Sequence, residues 1–416
     1  MKNIYKKINS CRICGNKNLQ KIFDLNNQYI QGSFIKKNSP PTYQKKIPLQ
    51  LVLCKNCTLV QLRHTTNKKI LYKNYWYESG VNETMRNHLK NIVKIVSKIK
   101  VKKKKINVLD IGCNDGTLLN FYPKKNFNRY GIDPSQIINK IKKKDIKIFR
   151  DYFPPKKNAF KNLKIKLDII TSIAMFYDLD NPNLFVKKIK SSLSDNGIWV
   201  FELSYLLDML KLNSFDTICH EHLEYYSIHS LDYLMKKNDL KIFDITRNKI
   251  NGGSIRCFVT HESNKLYDKS KKMTKIKKLK NYEKKINIKT LKPYKEFYKK
   301  ITILKNKMKD LLYSINQQKK TIHIYGASTK GNTILQWYDI DRNSIKYAAD
   351  RNKEKWGART IGSKIDIISE KKSKRMSPDY YLVLPWHFKK EFLKREESFL
   401  HSGGKMIFPL PKIKIY

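Results

Sequence analysis

Acidic residues are scarce in this chain of 416 residues: 35 Asp and Glu stand against 87 Lys and Arg, for a formal net charge of +52. A field of that sign attracts nucleic acid, membrane surfaces and phosphorylated ligands. The cations are nevertheless spread along almost the whole chain and are mostly Lys, beside abundant Asn, Ile and Tyr. Nucleic-acid binders gather their charge on one element, so the excess reads as compositional drift of a solvated surface, and nucleic acid is not expected as a partner. Long apolar runs are missing as well. No stretch reaches the roughly 18 apolar residues of a membrane span, and the start, MKNIYKKINSCRICG, lacks the apolar core of a signal peptide. Neither a membrane partner nor export is expected, and the expected compartment is the cytoplasm. Cysteine is rare too: seven in all, an odd number, four of them in two Cys-x-x-Cys pairs. That count argues against a disulfide framework and for a metal in a reducing compartment.

What is present belongs to a folded protein, with 40% hydrophobic and 12% aromatic residues. The length suggests two or three domains. Cys11 and Cys14, then Cys54 and Cys57, form two knuckles that each deliver two thiolates from a tight turn, which is how a chain builds a closed four-cysteine zinc site. The loop between them is longer than in common zinc ribbons but contains Gly and Pro (YIQGSFIKKNSPP) and folds back readily. A redox dithiol is the alternative, disfavoured because neither pair sits between a strand and a helix. With four ligands filled, the zinc holds the fold and does no chemistry. Next, ILYKNYWYESG is an aromatic loop that includes Tyr77, followed by an amphipathic helix with Ile92, Val93, Ile95, Val96 and Ile99 on its buried side. Whether the loop tyrosines reach an active site or only cover the core stays open.

The stretch INVLDIGCNDGTLL predicts a buried strand, Ile106 to Ile111, running into a turn through Asp110, Gly112, Cys113, Asn114 and Gly116, then a helix and a second strand ending at Asp133-Pro134. This begins a doubly wound sheet, whose ligands lie at the carboxyl ends of the strands. The glycines do not fit G-x-G-x-x-G. They resemble the D-x-G-x-x-x-G turn of class I methyltransferases, a likeness that implies a backbone pressed against the methionine part of S-adenosylmethionine, with Asp133 accepting from the ribose hydroxyls. IFRDYFPP predicts a third strand ending at Asp151-Tyr152-Phe153, beside the adenine. LDIITSIAMFYDLDNP is a fourth strand whose loop carries Ala174 and Met175, and GIWVFELSYLLDML a fifth, ending at Glu202.

Immediately after it comes FDTICHEHLEYYS. His220 and His222 share a side only if the segment is extended, and no third ligand with metal spacing stands nearby, so a second metal is disfavoured. Core packing and general-base chemistry are the other two readings. NGGSIRCFVTH sets Gly253 near Arg256, a guanidinium suited to a diphosphate, although an ordinary strand with a bulge explains it too. Residues 262–320 are lysine-dense with helical spacing and read as one long solvated helix bridging domains. KTIHIYGASTKGNTILQW, SIKYAADRN ending in Asp350, and YYLVLPWHF form a second Rossmann-like unit without a full fingerprint.

Taken in order, the two knuckles, VLDIGCNDGTLL, FELSYLLDML, FDTICHEHLEYYS, NGGSIRCFV and IYGASTKGNT resemble the three-domain sugar C-methyltransferases, which methylate a carbon of a nucleotide-linked keto-sugar in deoxysugar biosynthesis. The resemblance implies an α/β protein: a class I methyltransferase Rossmann-like sheet over residues 71–262, a small zinc-binding domain over 1–70 and a C-terminal Rossmann-like domain over 263–416 that helps bind substrate. It implies His222 as the base, with Glu221 beside it, and Lys330 and Asn332 as contacts to a nucleotide-sugar, a bare structural lobe being the alternative. Relatives commonly carry Tyr just before the His-Glu-His segment, where this chain has Cys219. The expected cofactors are S-adenosylmethionine and structural zinc, and the expected state a monomer. The chemistry suits these residues independently. A carbon beside a ketone becomes nucleophilic only when a positioned base removes its proton. The enolate then needs donors, for which His220, Tyr77 and Tyr225 are candidates. Glu221 would hold His222 in its reactive tautomer, though on an extended segment it faces away from both histidines. The expected substrate is a 4-keto-deoxysugar methylated at C3. Another small acceptor, or a zinc-knuckle protein acting on nucleic acid, are the alternatives.

Overall fold

The computed structural model describes residues 4–36, 45–71, 77–99, 104–155 and 165–416; Tyr72 and Tyr75 of the aromatic loop lie outside the described residues.

Seven strands form the central sheet: β1 (Ile106–Ile111), β2 (Phe127–Ile132), β3 (Ile146–Phe149), β4 (Leu167–Ile173), β5 (Leu193–Ser204), β6 (Leu240–Asn248) and β7 (Ser254–His261). They lie in the order β3-β2-β1-β4-β5-β7-β6, with β7 antiparallel to both its neighbours and β1 to β5 parallel. This is the class I methyltransferase sheet. Its middle strands are buried along most of their length, as parallel strands covered on both faces must be. On one face lies α1 (Glu83–Val96), capped by Asn82, whose side chain accepts from the Met85 amide; Met85, Leu89, Ile92, Val93 and Val96 turn inward at helical spacing. Ile95 and Ile99, expected on that side, are only half-buried at its edge. The third strand stops at Phe149, short of its expected end, because the Asp151 amide turns back onto the Phe149 carbonyl (3.2 Å). Asp151, Tyr152 and Phe153 therefore form the loop after it.

The N-terminal segment is an antiparallel sheet of Leu19–Tyr29, Lys46–Cys54 and Val60–Leu62 that holds the two knuckles, and Glu224–Tyr225 joins it as a further strand. The lysine-dense region is two helices rather than one: α3 (Ser270–Lys285) and α4 (Lys292–Gln317), separated where Asn287 adopts φ +56°. Neither is merely solvated. α4 buries Tyr294, Phe297, Ile301, Leu304, Met308, Leu312 and Ile315, and Phe297 meets Phe23 of the N-terminal sheet at 5.4 Å. α3 contributes Glu283, wholly buried, whose carboxylate accepts from Tyr205 Oη (2.6 Å) and from the Ile228 and His229 amides that open α2 (Ile228–Lys236). A carboxylate there meets the unpaired N–H groups of a helix start.

The C-terminal sheet has five parallel strands at its centre: Ile322–Tyr325, Tyr347–Asp350, Asp366–Ser369, Tyr380–Val383 and Lys405–Phe408. α5 (Thr329–Trp337) follows the first of them, capped by Ser328. At the far edge the N-terminal segment joins this sheet, Phe34–Ile35 pairing with Arg359–Thr360. Gln336 clasps Tyr29 through both backbone groups (2.8 and 3.3 Å). Among the described residues no helix is long and apolar enough to cross a membrane.

Candidate active site

The four sulfurs of Cys11, Cys14, Cys54 and Cys57 lie within 4.8 Å of one another, with Cys11 to Cys57 at 3.5 Å and Cys14 to Cys54 at 3.4 Å. Four thiolates at about 2.3 Å from zinc stand about 3.8 Å apart, so this set fits one tetrahedral ion with no position left for substrate. The knuckle is bolted to the His-Glu-His segment. Arg12, buried, donates to Gln61 Oε1, the Leu62 carbonyl and Thr65 Oγ1, and its guanidinium faces the Glu224 carboxylate at 3.5 Å.

At the carboxyl ends of β1, β2 and β4 a cleft opens. Gly112 has φ +73°, and a Cβ there would stand 3.0 Å from Met175 Cγ, so backbone and ligand can approach as no larger residue would permit. Asn114, also left-handed, donates its amide to Asp133 Oδ2 (2.9 Å), while Ser135 donates to Oδ1 (2.8 Å). Both carboxylate oxygens are thereby fixed. Asp110 holds Thr171 Oγ1 (2.5 Å), and burial pushes its pKa up to about 7. Cys113, Pro134, Asp151, Tyr152, Phe153 and Ala174 complete the expected wall. Ala174 sits at φ +55°, its amide held by the Glu202 carbonyl (2.8 Å). Gly116 does not line the cleft: it backs the turn, packed on Ile141. From the loop before α1, Tyr77 and Ser79 roof the opening, anchored by Asn114 through the Tyr77 carbonyl (3.0 Å) and the Ser79 amide (2.9 Å).

The His-Glu-His segment is not extended. The His222 amide bonds to the Cys219 carbonyl (3.1 Å), closing a turn, so the two histidines diverge. His220 is buried, with Nδ1 at 2.6 Å from Gln31 Oε1 and Nε2 at 3.1 Å from the Ile47 carbonyl; both ring nitrogens are occupied by the N-terminal segment, which corrects its expected role as an enolate donor. Burial lowers its pKa to about 4. Glu221 turns the same way: a Cβ on Gly32 would lie 1.8 Å from its Oε1, so only glycine fits there. Burial pushes its pKa up to about 7. The tautomer of His222 is set instead by the Thr217 carbonyl, 2.6 Å from Nδ1. A carbonyl only accepts, so Nδ1 carries the proton and Nε2 keeps its lone pair. The ring packs edge-on against Tyr177 (4.4 Å), whose neighbours Asp178 and Leu179 line the cofactor cleft. Burial first, and the cation Lys330 second, bring the His222 pKa down to about 3.

Two expected substrate contacts are re-placed. Arg256, on β7, lies opposite Glu202 of β5 and gives Nε and Nη2 to its Oε2 (2.9 and 2.8 Å), leaving no face for a diphosphate. Arg256→Met is expected to cost up to about 3–5 kcal/mol, because it removes the guanidinium paired with the buried Glu202 carboxylate; urea denaturation measures this. Asn332, also buried, donates to the Gln31 and Ser33 carbonyls (2.7 and 3.4 Å) and ties α5 to the N-terminal segment. Gly253 has φ +113° and lies against Asp208, so its freedom serves a tight turn. Tyr225 is buried with no hydrogen-bond partner for its hydroxyl among the described residues. Lys330 reaches the Asn251 carbonyl at 2.8 Å, beside the cofactor cleft.

Residues that sequence reasoning passed over also meet here. His88 of α1 holds Glu202 Oε1 (2.5 Å), and Asn248 holds Oε2 (2.9 Å). His387, within YYLVLPWHF, is partly buried, with no hydrogen-bond partner for Nδ1 among the described residues; burial first, and Lys330 second, lower its pKa. A lone His in an apolar helix face, or after a strand, carries no signal until the fold places it.

Three family models match successive parts of the chain: a zinc binding domain at residues 11–72, a methyltransferase domain at 81–245 and a C-methyltransferase C-terminal domain at 249–411. The chain is 25% identical over 423 residues to the C-methyltransferase NovU of Streptomyces niveus, covering 100% of this chain and 98% of that one. Among solved structures, an S-adenosylmethionine-dependent methyltransferase of Clostridium acetobutylicum is 15% identical over 44% of this chain and 93% of its own, with a TM-score of 0.31. The plantazolicin methyltransferase BamL, solved with a substrate analogue and S-adenosylhomocysteine, is 16% identical over 44% of this chain and 87% of its own, with a TM-score of 0.35. The strand order, the four-cysteine site and the three family models agree: the chain is an S-adenosylmethionine-dependent C-methyltransferase with an N-terminal zinc-binding domain.

Proposed function

We propose that the chain methylates C3 of a nucleotide-linked 4-keto-deoxysugar, as a cytoplasmic monomer divided at about residues 70 and 262. The observation that carries this reading is His222: a neutral imidazole with Nδ1 pinned by Thr217 and Nε2 without a hydrogen-bond partner among the described residues, packed against the wall of the cofactor cleft. Such a group can accept a proton from carbon. When bound, S-adenosylmethionine supplies an electrophilic methyl group at the mouth of β1 and β4. His222 takes the C3 proton, and the carbon becomes nucleophilic beside that methyl.

A second groove supports the nucleotide. It runs between the Arg247–Gly253 turn and the C-terminal sheet and is lined by Lys211, Arg247, Lys249, Lys389, Lys412 and Lys414. The sole acid on it, Asp208, is already paired with Arg247. Trp386, Phe408 and Leu410 add apolar wall. Cations beside aromatic surface suit a diphosphate joined to a base. His387 lies in the wall between this groove and Lys330.

The test is solvent exchange. The protein is incubated in heavy water with S-adenosylhomocysteine and thymidine-diphospho-4-keto-6-deoxyglucose or its 2-deoxy analogue. Deuterium entering beside the ketone is the expected result. Methyl transfer to other small acceptors, with no exchange into any nucleotide-linked keto-sugar, overturns the assignment.

A further inference from the structure

Lys330 stands in the first turn of α5, yet its ammonium lies across the interface, against the turn at Asn251. Ile250, Asn251 and Ser254 of that turn line the cofactor cleft. One of its three N–H donors goes to the Asn251 carbonyl. The acid that attracts it most, Asp216, accepts at Oδ2 from Trp386 Nε1 (2.9 Å), while its Oδ1 has no hydrogen-bond partner among the described residues, and no ion pair among them joins acid and ammonium. A half-buried cation with no contacting counter-ion among the described residues is costly. It is the arrangement of a site that awaits negative charge. The groups facing it are Asp216 and Cys219 from the loop beneath α5, His222 from the next turn, and His387 from the Trp386–Phe388 turn.

We propose that Lys330 is a catalytic residue, its ammonium receiving the substrate's carbonyl oxygen while His222 Nε2 removes the proton from the adjacent carbon. This rests on the keto-sugar reading. In the first step the C–H bond breaks, its proton goes to Nε2, its electron pair becomes the C=C bond, and the carbonyl π pair moves to oxygen as an enolate held by Lys330. In the second the carbon takes the methyl group as the sulfonium C–S bond breaks, the carbonyl re-forms, and S-adenosylhomocysteine leaves with the bond's electrons. A fixed cation in a cleft screened from water stabilises the charge where it develops. Burial first, and this cation second, keep His222 unprotonated beforehand and disfavour the imidazolium afterwards, so the proton passes on to solvent.

Lys330→Gln and Lys330→Arg separate this from a role in binding alone, with S-adenosylhomocysteine affinity as the control for an intact fold. The expected result for the Gln variant is a fall in the exchange kcat on the order of 100-fold, with a smaller change in KM and partial retention in the Arg variant. The NMR titration of His222 should also move to higher pH in the Gln variant, with no substrate present. Exchange at the wild-type kcat with only a raised KM, or an unmoved His222 titration, overturns the proposal. If the wild type exchanges no proton on any keto-sugar, the substrate reading falls, while the titration still decides whether Lys330 governs the base.

Discussion

His222→Ala removes solvent exchange and methyl transfer by about 10² to 10⁴-fold, the usual contribution of a positioned base, while S-adenosylhomocysteine still binds, because the cradle of Gly112, Asn114 and Asp133 lies on other strands. Exchange rates and calorimetry on the same preparation check both halves. A variant that exchanges normally would hand the proton to another group. The pH dependence is equally specific. The free imidazole titrates near 6.5, whereas His222 in the fold is brought down to about 3 by burial and by Lys330. Below pH 6.5 the unfolded chain takes up a proton that the folded one refuses, so this histidine lowers stability as the pH falls from 6.5 toward 3. Between pH 7 and pH 5 the penalty grows by up to about 2 kcal/mol. Alanine abolishes it, so the variant should lose less stability than the wild type on acidification, as read by urea denaturation at the two pH values.

Stripping the zinc, or Cys54→Ser, produces the other large effect. A structural zinc site contributes about 10–16 kcal/mol of apparent binding free energy in small domains, and here the site holds more than its own sheet. Val60 and Gln61 pair with Tyr225 and Glu224, Arg12 faces Glu224, and Gln31 and Ile47 hold His220. Every one of these contacts starts in the N-terminal segment and ends within four residues of His222. The apo-protein should lose exchange although the metal takes no part in it, and keep S-adenosylhomocysteine binding within several-fold. Metal release followed by a chelating dye, beside the exchange assay, measures the coupling. Full exchange by the metal-free protein would show that the base is positioned without the knuckles.

The sequence carried the central sheet plainly, because β1, β4 and β5 are apolar runs, β1 leading into Gly112 and β5 reaching Glu202, and the two knuckles spaced their cysteines as ligands. Tertiary contacts decided the rest. FDTICHEHLEYYS gave no sign of a turn, since the Cys219 to His222 closure depends on where Gln31, Ile47 and Thr217 stand. Arg256 looked like a diphosphate ligand because its partner, Glu202, lies 54 residues away in the chain and becomes its neighbour only when β7 enters beside β5. The break between α3 and α4 was hidden in a run of lysines with helical spacing, where one left-handed Asn suffices to end a helix.

The pairing of Phe34–Ile35 with Arg359–Thr360, and the clasp of Gln336 on Tyr29 across 307 residues, also order events during synthesis. A ribosome adding roughly 5–20 residues per second makes the residues between those partners in about 15–60 s. Late in that interval the emerging chain displays a zinc-binding sheet with an unpaired edge and a methyltransferase sheet, complete in sequence at His261, without the C-terminal sheet. The knuckles, able to fold as soon as Cys57 is out, protect the early sheet, while the groove that would admit a nucleotide does not exist until the last lysines are made. The residues that line the cleft, the last of them Ser254, are thus synthesised well before Trp386, Phe408 and Lys414 complete the proposed acceptor groove.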